Sequence, residues 1–430
     1  MLNRNIAPPI IDPVAFDLKL PAYKKYTLSN GVEVYAVDMG TEDTLMVNWV
    51  FSAGNWFEKK KTAAATTNFL LKNGTSKRNA FEINEHFEYY GSYLNRACYN
   101  ESADITLHSL GKHINELLPV VAELIQDSVF PQEELNIYVQ NAQQRLKVNL
   151  QKGEFVAGRL IDAYLFGEDH PYGKYTNLED FTGVTREDVV SFYNKHYKEG
   201  NCIIFLAGKL PAGIIESLEK NFGHLPLKPR KGLGGAEAIQ HPLLPAKEKK
   251  YQIINDADGV QSAIRIARPF PNRNHPDFQK VQVLNNVMGG FFGSRLMGNI
   301  REEKGYTYGI YSYLMNFTAT SGWMVSTEAG RDVTAETVKE VYYEMDQLRE
   351  ELIDDEELMM TRNSMIGTIL GDLDGPFQVI GRWKSMILND VDENYFQRGV
   401  QIIKTITAKE LQELANKYLV REEFYELVVI

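Results

Sequence analysis

The sequence predicts an α+β fold of two similar halves, each a mainly antiparallel sheet with helices on one face, facing each other across a cleft. Three observations carry this. First, "GVTREDVVSFYNKHYKEGNCIIFLAG" and "TITAKELQELANKYLVREEFYELVVI" share one plan: a Thr cap, an amphipathic helix, then a buried strand. Thr185 aligns with Thr407, Val189 with Leu411, Phe192 with Leu414 and Lys195 with Lys417, at an offset of 222. Second, "FPQEEL" from Phe130 resembles "IDDEEL" from Ile353 at an offset of 223. A Thr-capped helix alone is common, but two matches at nearly one offset indicate internal duplication. Third, Pro226–Lys250 is rich in Pro, Gly and Lys, lacks an apolar period, and reads as a linker between residues 1–225 and 251–430.

Within each half, strands come first, then helices, then one helix–strand return. The strand-like runs of the first half are "YTLSNGVEVYAVD", "TLMVNWVFSAG" and "YLNRACYNESADITLHSL". Ile114–Asp127 and Glu133–Gln151 have helical patterns. The longest uncharged run, Gly305–Thr327, raises the question of a membrane span. Tyr306, Tyr308 and Ile310 alternate with smaller residues and "TATSG" is turn chemistry, so the run reads as a β-hairpin. Tyr93–Leu107 reads as a partly exposed edge strand able to accept a peptide, or else as an ordinary interior strand.

Length and composition bound the function. At 430 residues and 44% apolar, the chain can bury large cores. A net charge of −11 without a long basic run argues against nucleic acid as a partner. Two cysteines, Cys98 and Cys202, exclude a disulfide framework but not a single bridge. "MLNRNIAPPIIDPVAFDLKL" has no signal-peptide core, so the expected compartment is the cytoplasm, or the periplasm if the chain is a mature form.

None of the eight histidines stands three or four residues from another, so neither His-x-x-Glu-His nor His-Glu-x-x-His is present. A zinc site assembled from distant histidines stays open. His170, in "EDHPYGKY", reads as a hydrogen-bonded structural residue. In "VMGGFFGSRLMGNIREEKGYTYGIYSY", Gly289, Gly290 and Gly293 make a flexible turn. Ser294 then caps a short helix with an apolar face of Leu296, Met297 and Ile300, and Gly305 ends it. Arg301 near the helix end and Tyr308 on the next strand can face one cleft; the plainer reading of Arg301 is an ion pair with Glu302 or Glu303. The glycines lack the spacing of a P-loop or a dinucleotide fingerprint.

Together these motifs resemble the pitrilysin/insulinase family of zinc peptidases, in the short-chain branch that includes processing peptidases. "LSNGVEVYAVD" resembles the family's opening strands, "YYGSYLNRACYNESADITL" its substrate-edge strand, and "SRLMGNIREEKGYTYGIYS" its second-half signature, an Arg with a Tyr seven residues later. "SAGNWFE" and "LLKNGTSKR" bracket the position of the inverted zinc motif. Aligning Gly74-Thr75 with the family's Gly-Thr puts Ala65 at the first His, Asn68 at the general-base Glu and Phe69 at the second His; the third ligand falls at Arg145. The resemblance therefore implies a chain with no metal of its own, zinc being expected in a partner. It implies catalytic roles for Arg301 and Tyr308, and substrate binding by Asn95, Gly289, Gly290 and Gly293.

The expected function is thus the non-zinc subunit of a heterodimeric zinc metalloendopeptidase. It would act on peptides or unfolded segments beside a homologous zinc-bearing chain. The alternative is an inert scaffold or peptide-binding protein of the same fold. A self-sufficient peptidase with another metal site is the third reading.

Overall fold

The computed structural model describes residues 12–232 and 239–430. Residues 233–238 of the expected linker lie outside the described residues. The first half contains β1 (Lys24–Thr27), β2 (Glu33–Asp38), β3 (Thr44–Phe51), α1 (Ala63–Leu70), α2 (Ala80–Tyr89), β4 (Tyr93–Cys98) and β5 (Ala103–Leu110). It continues with α3 (Ile114–Asp127), α4 (Gln132–Asn149), α5 (Gly153–Phe166), α6 (Leu178–Thr182), α7 (Arg186–Tyr193), β6 (Asn201–Gly208), α8 (Ile214–Leu218) and β7 (Lys228–Pro229). The second half contains β8 (Lys250–Ile253), β9 (Gln261–Phe270), α9 (Phe278–Asn285), β10 (Thr307–Met315) and β11 (Ser321–Gly330). Then come α10 (Thr334–Glu350), α11 (Asp355–Gly371), α12 (Pro376–Leu388), α13 (Tyr395–Thr405), α14 (Ala408–Tyr418) and β12 (Tyr425–Val429).

The duplication is visible in the sheets. The first runs β1-β2-β6-β3-β5-β4, with β7 added beside β6; the second runs β10-β11-β9-β12-β8. In both, the last strand of the half inserts parallel to the first (β6 to β2, β12 to β8) and antiparallel to the next (β6 to β3, β12 to β9). The helix before it is capped alike: Thr185 with Asp188 and Thr407 with Glu410 form reciprocal capping boxes. The Gly305–Thr327 run is a β10–β11 hairpin, and no helix among the described residues is long and apolar enough to cross a membrane.

Each sheet has helices of its own half on one face. The other face is not bare. Along β6, Cys202, Ile204 and Leu206 pack into the first half's core. Ile203, Phe205 and Ala207 point the other way and join Val379, Ile380 and Trp383 of α12. In the second sheet, Ile264 and Ile266 of β9 face that half's own helices, whereas Ala263 and Ala267 pack with Ala157, Ile161 and Leu165 of α5. Each half thus lends one helix to the other's sheet. Burial on both faces explains why "CIIFLA" is a continuous apolar run rather than an alternating one. Between the halves lies a cavity of about 470 Å³, with walls including Ser52 and Tyr99 from the first half and Asn316 and Asn389 from the second.

Candidate functional site

The residues singled out by sequence fall into two groups. The first surrounds α1. This helix starts after Thr62, whose φ of 71° turns the chain sharply. The Glu58 carboxylate accepts the Ala64 amide at 3.2 Å, and Lys174 pairs with the same carboxylate at 2.7 Å. An anion at a helix N-terminus is stabilised by the unpaired amides there. Ala65 is half-buried on this helix. Asn68 is buried, and its amide donates to the Tyr197 hydroxyl at 3.1 Å and the Asp104 carbonyl at 3.4 Å.

Phe69 is partly exposed, and its ring lies 4.8 Å from that of Tyr138 on α4. The Arg96 guanidinium sits 5.2 Å from the Phe69 ring centroid and donates to the Phe69 carbonyl. Burial lowers the Arg96 pKa to about 10, which leaves it a cation at neutral pH. Arg145 is exposed on α4, two turns beyond Tyr138. Burial raises the Tyr138 pKa, and the Arg145 charge opposes that rise, which places both on one side of α4.

α1 packs against α4, and the side chains at the four positions expected for an inverted zinc site do not fit the ion. Zinc takes imidazole, thiolate or carboxylate. Ala65 offers no donor, Phe69 offers a ring face, Arg145 is itself a cation, and the Asn68 amide is committed to Tyr197 and β5. Among the described residues, no group of three His, Cys, Asp or Glu could hold a metal. His170 is buried, and its Nδ1 accepts the Tyr172 amide at 3.1 Å, as expected of a structural histidine; burial lowers its pKa to about 4. Both cysteines are free thiols.

Asn95 is exposed on β4, which forms one edge of the first sheet. The stretch Tyr93–Leu107, expected as one strand, is instead a hairpin: β4 is at the sheet edge, whereas β5 is interior, paired with both β3 and β4. Its neighbour Arg96 ties the strand to α1.

The second group follows α9. Gly289 is buried, and a Cβ there would lie 2.7 Å from the Ser312 amide nitrogen, so close packing requires glycine at this position. Gly290 and Gly293 are exposed. Ser294 does not cap the following helix with its side chain. Its hydroxyl is buried without a hydrogen-bond partner, and its carbonyl accepts the Gly298 amide at 2.9 Å instead. The segment Met297–Glu303 is wound as a π-helix, a form that often marks functional positions.

Arg301 lies on this turn. Its Nε donates to the Tyr308 carbonyl at 2.9 Å, and its guanidinium stacks 4.7 Å from the Phe292 ring. The contact to Glu302, at 3.8 Å, is loose. Tyr308 is 93% exposed at the start of β10, an edge strand of the second sheet. The structure thus joins Arg301 to Tyr308 and seats the glycine turn against the same hairpin; Asn95 on β4 and the four positions on α1 and α4 belong to the other half.

Sequence reasoning missed a polar link between the halves. Lys384 of α12 pairs with the buried Asp104 carboxylate and donates to the Asn48 side-chain oxygen at 2.8 Å. Burial raises the Asp104 pKa, and Lys384 opposes that. The available signal was Asp104 itself, a carboxylate inside the apolar strand run "ADITL".

Residues 183–365 match the family model described as "Peptidase M16 inactive domain". This part of the chain, which runs from the end of α6 into α11, is therefore similar to the M16 inactive domain. The match to an "Uncharacterized zinc protease" of Rickettsia felis is 23% identical over 409 residues, 91% of this chain and 93% of that protein. A "Probable mitochondrial-processing peptidase subunit beta" of Arabidopsis thaliana is 22% identical over 434 residues, 94% of this chain and 77% of that one. Among solved structures, the M16 fold of a peptidase M16 inactive domain from Pseudomonas fluorescens superposes with a TM-score of 0.84 at 21% identity, covering 95% of this chain and 98% of that one. A protease from Helicobacter pylori gives 0.84 at 17%, covering 96% and 100%. These likenesses extend the M16 architecture across both halves of this chain.

Proposed function

We propose that this chain is the non-zinc subunit of a heterodimeric metalloendopeptidase of M16 type, with Arg301 and Tyr308 as its contribution to catalysis; the two halves expected at 1–225 and 251–430 extend into the expected linker, to Pro229 through β7 and from Lys250 through β8. The observation that carries the reading is a contrast. Where the resemblance puts the zinc ligands of the family, Ala65, Phe69 and Arg145 offer the ion no donor; the Arg/Tyr pair is intact, with Tyr308 tethered through its carbonyl and its ring in solvent. A scaffold has no chemical use for a positioned, exposed phenol. A tyrosine hydroxyl can donate to the oxyanion of a tetrahedral intermediate formed at a partner's metal. Asn95 on the β4 edge, with the turn at Gly289, Gly290 and Gly293, would bind the extended peptide by strand addition.

The test is reconstitution with a homologous chain carrying His-x-x-Glu-His. Tyr308→Phe removes one hydroxyl and little packing. It should lower kcat roughly 100-fold or more, in line with loss of one oxyanion donor. Arg301→Ala should lower kcat and raise KM, because it frees the Tyr308 backbone. The stack of Phe69 between Tyr138 and Arg96 favours a second reading, an inert scaffold. Under it, both variants retain the wild-type rate.

A further inference from the structure

A cavity of about 750 Å³ lies within the second half, walled by α9, α11, α12, α13 and the start of the turn after β10. That is within the range of small-molecule sites. Its polar lining is unsatisfied to an unusual degree. Arg273 Nε, Arg382 Nε, Asn285 Oδ1, Asn286 Nδ2 and the Tyr395 hydroxyl all line it, and all are buried with no hydrogen-bond partner. Leaving one such group unpaired costs about 1–3 kcal/mol, so their gathering in one space calls for an occupant.

The chemistry of the lining selects that occupant. Of its charged side chains, Arg273 and Arg382 face a single carboxylate, Asp372, which pairs with Arg382. Arg273 donates to the Ser385 hydroxyl at 2.6 Å and has no acidic partner among the described residues. The excess is one positive charge, which suits one carboxylate. Asn285 supplies the complement. Its Nδ2 is fixed by the Ser312 carbonyl at 3.1 Å, so its free Oδ1 is an acceptor, ready for an N–H. Ile369, Phe396 and Val400 add an apolar wall.

We propose that this cavity binds an N-acylated apolar amino-acid carboxylate: the free C-terminal residue of a peptide, or a small molecule of the same chemistry. Arg273 and the Asn286 amide hold the carboxylate, Asn285 Oδ1 accepts the amide N–H, and the apolar wall takes the side chain. The site goes beyond the reading of Arg301 and Tyr308 and needs no zinc-bearing partner.

The experiment is calorimetric titration of the full chain with three probes: N-acetyl-leucine, acetyl-Ala-Ala-Leu with a free carboxylate, and the same peptide amidated. The free acids should bind, and the amidated peptide should bind at least tenfold more weakly. A peptide tenfold tighter than N-acetyl-leucine identifies a peptide terminus as the occupant; equal affinities identify the small molecule. Arg273→Gln should weaken the acids tenfold, with Arg273→Lys between. The acid–amide comparison uses the unaltered chain, so it stands even if the Gln variant misfolds. No binding by either acid, or equal binding of acid and amide, overturns the proposal and leaves a cavity filled with water.

Discussion

In the register proposed from Gly74-Thr75, Asn68 takes the place of the family's general base, and its packing accounts for an amide there. A buried amide that bridges Tyr197 and the β5 backbone is structural. The Gly74-Thr75 register proposes which residue stands there; the partners of Asn68 were not legible, because they come from residues 36 and 129 positions away. Another buried polar residue, Asp162 on α5, was invisible to motif reading. One carboxylate oxygen has no partner, and Arg265 beside it is engaged by Glu328 at 3.0 Å. Burial raises the Asp162 pKa to about 7, with Arg265 opposing. Its folded pKa therefore exceeds its unfolded value, near 3.9. Between those values the native state holds a proton that the unfolded chain has released, so stability from this group falls as pH rises from about 4 to about 7. Asp162→Asn should match the wild type near pH 4 and exceed it above pH 7, by on the order of 2–4 kcal/mol. His170 and His196, both lowered to about 4 by burial, pull the opposite way. The difference between variant and wild type cancels them. Urea denaturation at pH 4.5 and 8 measures it; a difference independent of pH would refute the assignment.

At the scale of elements, the strongest sequence signals were local. The Thr185 and Thr407 caps, the α3 boundaries and the β10–β11 hairpin follow from capping, periodicity and turn chemistry within single segments. Ser294 misled because a serine before a helix can cap through its hydroxyl only in an ordinary first turn, and this turn leads into a π-helix. The α1/α4 pair allows the proposed register of a zinc motif to be tested. Phe69 and Arg145 are exposed and Ala65 half-buried, so three of the four replacements meet little steric resistance. The quadruple variant Ala65→His, Asn68→Glu, Phe69→His, Arg145→Glu should bind about one zinc per chain, because inverted-motif sites need two imidazoles and a carboxylate on facing helices. Restoring Arg145 in that background should weaken zinc at least tenfold. Metal analysis after dialysis decides it: no retained zinc would mean that α1 and α4 do not hold the ligand geometry, or that the third position is misplaced.

At the scale of the whole molecule, duplication was legible but the exchange of α5 and α12 was not. An amphipathic pattern says that a helix has a buried face; it does not say which sheet covers it. The exchange makes each half's sheet depend on a helix from the other, and the Lys384–Asp104–Asn48 link fixes α12 onto the first sheet. The molecule should therefore unfold as one cooperative unit rather than as two. Lys384→Met tests this at a single atom group. It keeps the length of the side chain and leaves the Asp104 carboxylate buried with no cation. Removing one partner of a buried pair typically costs about 3–5 kcal/mol, because the remaining charge stays desolvated. Asp104→Asn in the same chain removes that charge and should recover more than half of the loss. In urea, the single variant should shift the whole transition to lower denaturant while keeping one step by both fluorescence and circular dichroism. A second step, with the C-terminal half unfolding unchanged, would show that the exchanged helices do not couple the halves.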